Sequence, residues 1–166
     1  MTIEIRQLKP EEYEEAGRVT ASAWLEFLPP DPGAEWDGYL ARIGDIRGRA
    51  DRTLVLGAFE EGRPLGTVTL EVDARVNEDS DPLAPDTANI RMLGVAKEAQ
   101  RRGIGRALME AAMAEARGRG KHVITLNTGE NMRSAIAFYA ALGFTREPDK
   151  VFPDGFRLLS FRLQLD

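Results

Sequence analysis

Two glycines and three arginines are crowded into one short stretch of the sequence, residues 100–106, which reads QRRGIGR. Two glycines so close together let the backbone approach a ligand, because no Cβ intrudes. An amphipathic pattern follows and predicts a helix over about 103–117, and the free N–H groups at a helix start attract anions. Arg101, Arg102 and Arg106 add positive charge at the same place. These features predict a pyrophosphate site, and a capped, solvated helix start is the alternative that this stretch leaves open.

Other routes to a strong nucleophile or a bound metal are nearly absent from the composition. The 166 residues include no cysteine and one histidine, His122, which excludes disulfides, thiolate metal sites and multi-histidine zinc sites. No metal site is predicted. An enzyme of this composition would act by positioning, by proton transfer and with a bound organic cofactor.

Charge and hydropathy also limit the classes of binding partner and the cellular compartment that we expect. The formal net charge of −5 argues against a nucleic-acid binder, which normally presents a basic face. No apolar run approaches the ~20 residues of a membrane span, and residues 1–6 lack the regions of a signal peptide. We therefore expect a cytoplasmic protein with no membrane partner.

Periodicity predicts the elements that must position the glycine-containing stretch. Strands are predicted over 3–8, 53–59, 64–73, 88–95, 122–127 and 156–165. Helices are predicted over 10–28, 34–48, 103–117 and 131–142. The order is β-α-α-β-β-β-α-β-α-β, with room for one more strand at the end. A hairpin comes early and a βαβ unit comes late, which predicts one α/β domain of the α+β type over 1–166, with a central mixed, mostly antiparallel sheet flanked by helices.

Two blocks of sequence carry a more specific pattern. Gln100-Arg101-Arg102-Gly103-Ile104-Gly105 matches Gln/Arg-x-x-Gly-x-Gly/Ala at every fixed position, after a strand that ends Leu93-Gly94-Val95. One helix and one strand downstream lie Asn131, Ala135, Phe138-Tyr139 and Leu142-Gly143-Phe144. In these blocks the sequence resembles the GNAT (GCN5-related) N-acetyltransferase family, specifically over about 85–145 and in element order over the whole chain. The resemblance implies the acyl-CoA N-acyltransferase fold, with a cofactor-binding core over about 88–145.

The resemblance also implies where acetyl-CoA should lie, between strand 88–95 and strand 122–127 where the two splay apart. The backbone of Leu93 and Val95 would pair with the pantetheine arm, N–H groups across 100–106 would hold the pyrophosphate, and Asn131 would hydrogen-bond the arm. The cofactor-binding residues expected on this basis are Leu93, Gly94, Val95, Gln100, Arg101, Arg102, Gly103, Ile104, Gly105, Arg106 and Asn131. Helix capping is the other role open to Asn131.

Tyr139 is the catalytic acid that the resemblance implies. It would protonate the leaving thiolate while an amine attacks the thioester directly, so that no covalent enzyme intermediate is needed. The N–H of Val95 is the donor expected to face the developing oxyanion. Helical spacing alone favours an ordinary core position for Tyr139.

The expected general base is missing from its usual strand. Many family members carry a glutamate on the strand before the cofactor loop, but that strand here contains Asn89-Ile90-Arg91-Met92. Glu71 and Asp73, on the neighbouring hairpin strand, are the candidates, and a water chain to bulk solvent is the alternative. The acidic stretch from Glu71 to Asp86 is either a solvated loop or an acidic rim that attracts a cationic amine.

Taken together, these patterns predict an acetyl-CoA-dependent N-acetyltransferase that acts on a primary amine of a small molecule or on an exposed peptide amino group. A homodimer is compatible with the resemblance. An acyl-CoA-binding regulatory module of the same fold, a different acyl-CoA donor, and a structural interaction protein are the alternatives. Acceptor determinants are expected in 25–50, 73–88 and 146–157. Trp24, Phe27 and Trp36 flank the proline-rich turn at 29–33 and serve either in the core or in the lining of the site.

Overall fold

One seven-stranded sheet organises the described part of this computed structural model, which comprises residues 2–28, 32–73, 83–129, 132–151, 153, 155 and 157–165. In chain order the strands are β1 Glu4–Gln7, β2 Leu54–Glu60, β3 Arg63–Glu71, β4 Thr87–Val95, β5 Val123–Gly129, β6 Thr145–Val151 and β7 Arg157–Gln164. The α-helices are α1 Tyr13–Ala23, α2 Ala34–Gly44, α3 Ile104–Gly118 and α4 Arg133–Ala141. No helix among the described residues is long and apolar enough to span a membrane.

The spatial order of the strands is β1-β2-β3-β4-β5-β7-β6. Within the described residues β4 and β5 are the one parallel pair, and the other neighbours are antiparallel. The predicted mixed, mostly antiparallel sheet is therefore confirmed. The predicted hairpin is confirmed as well, because Glu61 and Gly62 both have positive φ, as a two-residue type I′ turn between β2 and β3 requires.

The parallel pair separates part of the way along its length. The pairing runs from Thr87 opposite Val123 to Ile90 opposite Leu126 and then stops, although both strands continue. A bulge explains the divergence: Thr67 and Thr69 of β3 pair with Gly94 and Arg91, so β4 carries one extra residue there. Met92, inside the bulge, has φ +55. A bulge bends its strand and increases the local twist, so the end of β4 turns away from β5.

Apolar packing on the sheet holds this geometry in place. The buried residues of α3, which include Leu108, Met109 and Ala112, join the main core with the strands. On α1, Thr20 is fully buried and its hydroxyl lies 2.6 Å from that of Thr67 on β3. A Cβ at Gly17 of α1 would lie 2.1 Å from the carbonyl oxygen of Gly44, so only glycine permits the close crossing of α1 and α2.

Several elements differ from those that the sequence predicts. The strand β6 occupies a segment in which the sequence analysis expects acceptor determinants and locates no strand, although the element order leaves room for one. Its sequence, TREPDKV, is polar and mostly exposed. The helix α2 ends at Gly44 instead of 48, because the N–H of Gly48 turns back to donate to Asp45 Oδ1 at 3.0 Å. The predicted first helix, 10–28, is an α-helix between two short 3₁₀ turns, Pro10–Glu12 and Trp24–Phe27.

Candidate active site

A cleft of about 1730 Å³ opens where β4 and β5 separate. Its wall is built from the end of β4, the loop before α3, the end of β5 and the beginning of α4, with the 3₁₀ turn 24–27 and α2 at one end. The volume exceeds the roughly 300–1,000 Å³ of most small-molecule sites. The cleft is therefore large enough for an extended ligand together with a second, smaller one.

The open edge of β4 presents backbone groups to this cleft. Ala96 donates its N–H to Leu65 of the neighbouring β3 at 2.7 Å. Because peptide groups alternate in direction along a strand, the N–H of Val95 points to the opposite, unpaired edge. The carbonyls of Leu93 and Val95 accept hydrogen bonds from the indole of Trp24 at 3.1 Å and from Gln100 Nε2 at 3.3 Å.

Gly94, between those two residues, has a packing role. A Cβ there would lie 3.2 Å from two atoms of Thr20 and 3.3 Å from the Cβ of Ala23, both on α1. The sequence expectation grouped Gly94 with the cofactor residues, and it does line the cleft. The close approach of α1 is the physical reason for the glycine.

The loop between β4 and α3 is shaped by two residues with positive φ. Arg101 has φ +67, and Gly103, the N-cap residue immediately before α3, has φ +78. Ile104 anchors the helix start, because its side chain is buried in the core. The first bond of the helix runs from the N–H of Ala107 to the carbonyl of Gly103 at 3.0 Å. The N–H groups of residues 104–106 precede it and have no partner within the helix.

The packing around Gly105 does not require glycine at this position. A Cβ at this position would meet Phe138 Cζ at 3.7 Å and Val95 Cγ2 at 3.8 Å, which is ordinary van der Waals contact. Its backbone is helical, so an L side chain would not be strained there. The residue lines the cleft, and the space that a methyl group would fill is left to a ligand that approaches the backbone.

Two of the three predicted arginines line the cleft. They are Arg101 and Arg106, and Arg106 also bonds Glu110 Oε1 at 3.0 Å one turn further along α3. Arg102 does not line the cleft, because Glu60 at the end of β2 binds its guanidinium with both carboxylate oxygens. The structure thus separates Arg102 from the other two, although its backbone belongs to the same loop.

Tyr139 is both a core residue and part of the cleft wall. Its ring is 7% exposed and contacts the rings of Phe138, Phe144 and Phe161, at centroid distances of 5.3, 5.9 and 6.3 Å. Burial raises the pKa of the Tyr139 phenol above its ordinary value of 10. No residue in the described part of the chain hydrogen-bonds its hydroxyl, so the group stays protonated and keeps its donor for a ligand.

The two proposed bases differ in their connection to the cleft. Glu71 is 3% exposed and accepts a hydrogen bond from Asn89 Nδ2 at 3.0 Å, while Arg91 Nε lies 3.8 Å from the same oxygen. Asn89 and Arg91 line the cleft, and Glu71 lies directly behind them. Asp73 follows the end of β3 and does not line the cleft.

Some expected residues lie outside the part of the chain that the structure describes. They are Asn131 of the second motif block and Glu78, Asp79 and Asp81 of the acidic stretch. Asp86 is the last acid of that stretch. Its main-chain carbonyl accepts the backbone N–H of His122 at 2.8 Å and so holds the beginning of β5.

Sequence reasoning missed one buried polar group in the wall. Thr128, near the end of β5, is 3% exposed, and its hydroxyl has no hydrogen-bond partner among the described residues. A buried polar atom without a partner is costly, so the position is suited to a ligand that supplies one. The signal was a run of polar residues at the carboxyl end of a parallel strand, where ligands bind in open sheets.

One end of the cleft is aromatic and carries cations that the sequence did not single out. The ring of Trp24 lies 5.5 Å from that of Phe27 and 5.8 Å from that of Tyr39, and Trp36 lies 6.0 Å from Tyr39. Residues 36, 39 and 42 are spaced to face one side of α2, and this brings Arg42 to the same wall.

The wall as a whole fits a thiol cofactor with a pyrophosphate. Unpaired N–H groups at the start of α3, the space at Gly105 and two arginines suit the phosphates. The open edge of β4 suits an extended, amide-bearing arm, which can add to a sheet edge as a strand does. Elsewhere in the cleft wall, the unsatisfied Thr128 hydroxyl and the protonated Tyr139 hydroxyl are available to hydrogen-bond a ligand. No group of three or more metal-binding side chains is present among the described residues.

Comparison with known proteins agrees with this architecture. The PaiA N-acetyltransferase from Thermoplasma acidophilum, solved in complex with coenzyme A, superposes with a TM-score of 0.74 at 20% identity, covering 96% of this chain and 98% of that one. At this identity the likeness shows the fold.

The sequence of this chain matches parts of longer acetyltransferases. An uncharacterized N-acetyltransferase of Lactobacillus delbrueckii subsp. lactis is 35% identical over 92 residues, which is 55% of this chain and 51% of that protein. A mycothiol acetyltransferase of Cellulomonas flavigena is 29% identical over 150 residues, which is 87% of this chain and 41% of that protein. The match spans about half or less of each relative. The model of the Acetyltransferase (GNAT) family matches residues 11–144, and the chain therefore belongs to the GNAT acetyltransferase family.

Proposed function

We propose that this protein transfers an acetyl group from acetyl-CoA to a primary amine of a small molecule or to an exposed peptide amino group. The observation that carries the proposal is the open edge of β4 leading to the unpartnered start of α3 at Gly105. Family membership and the names of the matched relatives, which are acetyltransferases, support the same activity.

Acetyl-CoA, when bound, supplies an acetyl group that is already activated as a thioester. The chain would hold its pyrophosphate with the N–H groups of residues 104–106 and with Arg101 and Arg106. The N–H of Val95 would donate to the carbonyl oxygen on which negative charge grows during attack, and an aligned donor at that point lowers the barrier. An amine attacks this activated carbon directly, and this suits a chain without cysteine.

Tyr139 is assigned the role of general acid. Its raised pKa keeps the phenol protonated at neutral pH, and its hydroxyl, without an acceptor among the described residues, is free to donate to a departing thiolate. Because the ring is fixed by three aromatic neighbours, the hydroxyl is held in one direction.

Glu71 is assigned the role of general base in preference to Asp73. It is buried, lies behind two cleft residues and is hydrogen-bonded to Asn89. A proton from the attacking amine would reach it through water at the cleft wall. We expect Glu71→Gln to change the pH dependence of kcat/KM and Asp73→Asn to leave it as in the wild type. An unchanged profile in Glu71→Gln would remove this assignment and favour a water chain to bulk solvent.

The experiment that tests the function is release of free thiol from acetyl-CoA in the presence of a panel of amines. We expect amine-dependent release in the wild type and in Tyr13→Phe, a control tyrosine in the separate apolar cluster of α1. Release should fall strongly in Tyr139→Phe. Tight binding of acetyl-CoA without release for any amine would instead identify a regulatory acyl-CoA-binding module.

A further inference from the structure

Asn127 lies where the large cleft meets a smaller cavity beside it. Leu126 is the last residue of β5 that pairs with β4, so Asn127 is the first residue past the point where the two strands separate. The residue is half-buried, and it lines both the cleft and the neighbouring cavity of about 280 Å³. A side chain at this junction contacts a ligand that reaches the end of the cleft at which the strands part.

The side chain of Asn127 points to the face of the sheet that carries the proposed base. Side chains alternate along a strand, and Leu126 belongs to the main core that α3 covers, so Thr125 and Asn127 point to the opposite face. On that face Thr125 Oγ1 donates to Asn89 Oδ1 at 3.0 Å, and Asn89 Nδ2 donates to Glu71 at 3.0 Å. The phosphates are assigned to the start of α3, on the other face. Asn127 therefore lies on the side from which an amine would approach the base.

The carboxamide of Asn127 is held in one orientation. Ser160, directly opposite on β7 and 9% exposed, donates its hydroxyl to Asn127 Oδ1 at 2.8 Å. Since β7 and β4 lie on opposite sides of β5, an oxygen turned toward β7 leaves Nδ2 turned toward the gap beside β4. Among the described residues no oxygen accepts a hydrogen bond from Nδ2. The two N–H groups of this amide are therefore available to a ligand in the cleft.

We propose that Asn127 binds the amine acceptor by donating a hydrogen bond from Nδ2 to an oxygen that the acceptor carries close to its amine. This inference rests on the proposed acetyl transfer. It narrows the acceptors to amines with a carbonyl or hydroxyl oxygen on the carbon next to the one that bears the nitrogen.

The position of Asn127 sets this spacing. It lies two residues beyond Thr125, the partner of Asn89, which is about 7 Å along the strand. A hydrogen bond at each end, of about 2.9 Å, takes up most of that length, and a short N–C–C–O unit fills the rest. Alkylamines and polyamines lack the oxygen and would leave the half-buried donors without a partner, which lowers their affinity.

The test compares two amines that differ in one carboxamide. L-Phenylalaninamide and 2-phenylethylamine share the ring and the amine, but the first alone carries a carbonyl next to the amine-bearing carbon. The measured quantity is the ratio of their kcat/KM values, at one pH and with saturating acetyl-CoA, in the wild type and in variants. The different basicity of the two amines cancels when ratios are compared between proteins. Loss of one hydrogen bond predicts a fall in the ratio of about fivefold.

Variants assign the preference to the N–H groups of Asn127. Asn127→Asp has nearly the same shape and still accepts from Ser160, but it has no N–H to donate, and Asn127→Leu removes both functions without adding a charge. Both should lower the ratio about fivefold, and Ser160→Ala, which frees the amide to turn, should lower it less. Gln164→Glu is the matched control, because it makes the same amide-to-acid exchange at an exposed residue of β7 that donates to His122. It should leave the ratio unchanged, and all four variants should bind acetyl-CoA with the wild-type Kd.

Several results would overturn the inference. A ratio that survives Asn127→Asp and Asn127→Leu would do so, and a fall in the leucine variant alone would show that the ligand meets the oxygen of Asn127 and not its N–H groups. A weakened Kd for acetyl-CoA in these variants would assign Asn127 to the cofactor. Use of alkylamines or polyamines without use of L-phenylalaninamide would exclude the oxygen.

Calorimetry on the coenzyme A complex decides the inference if the wild type acetylates neither test compound. Binding of L-phenylalaninamide that is weakened about fivefold in Asn127→Asp supports it, and equal binding to the two proteins refutes it. The proposed function fails separately, if no amine of the panel is acetylated at all.

Discussion

Replacing Gly105 by alanine separates what the fold needs at this position from what a ligand needs. The new methyl group would lie 3.7 Å from Phe138 and 3.8 Å from Val95, so the protein accommodates it without a clash. Alanine in place of glycine inside a helix stabilises by up to about 1 kcal/mol. For a chain of this size that corresponds to roughly 2–4 °C in Tm. We therefore expect Gly105→Ala to melt at the same temperature as the wild type or a few degrees higher.

Binding should change in the opposite direction. A phosphate oxygen that accepts an N–H bond at the start of α3 lies about 2.9 Å from a backbone nitrogen. A Cβ on the same residue needs about 3.5 Å from such an atom, so the ligand must withdraw and its hydrogen bonds weaken. We expect the Kd of acetyl-CoA to rise at least tenfold, which is about 1.4 kcal/mol.

The assay is calorimetric titration of acetyl-CoA together with thermal melting of the ligand-free protein. The matched control is Gly118→Ala, which adds the same methyl group at the other end of α3, where nothing lies within 4 Å. The control should gain stability and bind acetyl-CoA as the wild type does. Wild-type affinity in Gly105→Ala would refute the close approach of a ligand to this backbone, and a lowered Tm would show that packing requires the glycine.

Three further predictions concern side chains. Tyr139→Phe should lower kcat by about 10²-fold or more, with Tm within a few degrees of the wild type, because within the described chain no hydrogen bond to the hydroxyl is lost; an unchanged kcat would exclude the acid role. Arg106→Gln should weaken acetyl-CoA binding more than Arg102→Gln, because Glu60 holds the Arg102 side chain outside the cleft; equal losses by titration would contradict this. The paired hydrogen bonds from Arg6 lower the pKa of Glu12 from 4.5 to about 2. The stabilisation that the ionised Glu12 gives the folded state is therefore complete above pH 4.5 and lost as the pH falls through 2. Glu12→Gln should lower the free energy of unfolding by about 1 kcal/mol at pH 7 and have no such effect at pH 2, as denaturant titrations at the two pH values would show.

Local features of the sequence were sufficient to predict the loop between β4 and α3 and the helix α3 itself. The apolar line through Ile104 and Leu108 is a property of neighbouring residues, and the structure has the helix where this line predicts it. The left-handed backbone at Gly103 is a finding of the structure. The hairpin of β2 and β3 was also predictable from local sequence, because a two-residue turn that contains glycine determines it.

Side-chain partners from distant parts of the chain could not be predicted in this way. Arg102 is bound by Glu60, 42 residues earlier, and Glu71 meets Asn89 through the register of β3 and β4. Neither pairing has a signal in the local pattern. The strand β6 was not located in the sequence for a different reason, although the element order left room for it: an edge strand with few apolar residues lacks the alternation on which strand prediction depends.

The aromatic and cationic end of the cleft could not be predicted from the sequence, because it is formed by the packing of elements that are distant in the chain. The spacing of Trp36, Tyr39 and Arg42 predicts one face of a helix, but the sequence does not say that this face lines the same cleft as Arg91 of β4. The crossing of α1 and α2 at Gly17 and the bulge at Met92 bring them together. Both are packing features that a one-dimensional pattern does not contain.

The most direct test of the central claim is detection of the acetylated amine itself. Purified protein, acetyl-CoA and the amine panel are incubated, and free thiol and N-acetyl product are quantified together, the second by mass spectrometry. We predict equal amounts of the two, dependent on both the amine and the hydroxyl of Tyr139. Thiol release without acetylated amine, or acetyl-CoA binding with neither product, would contradict acetyl transfer by this protein.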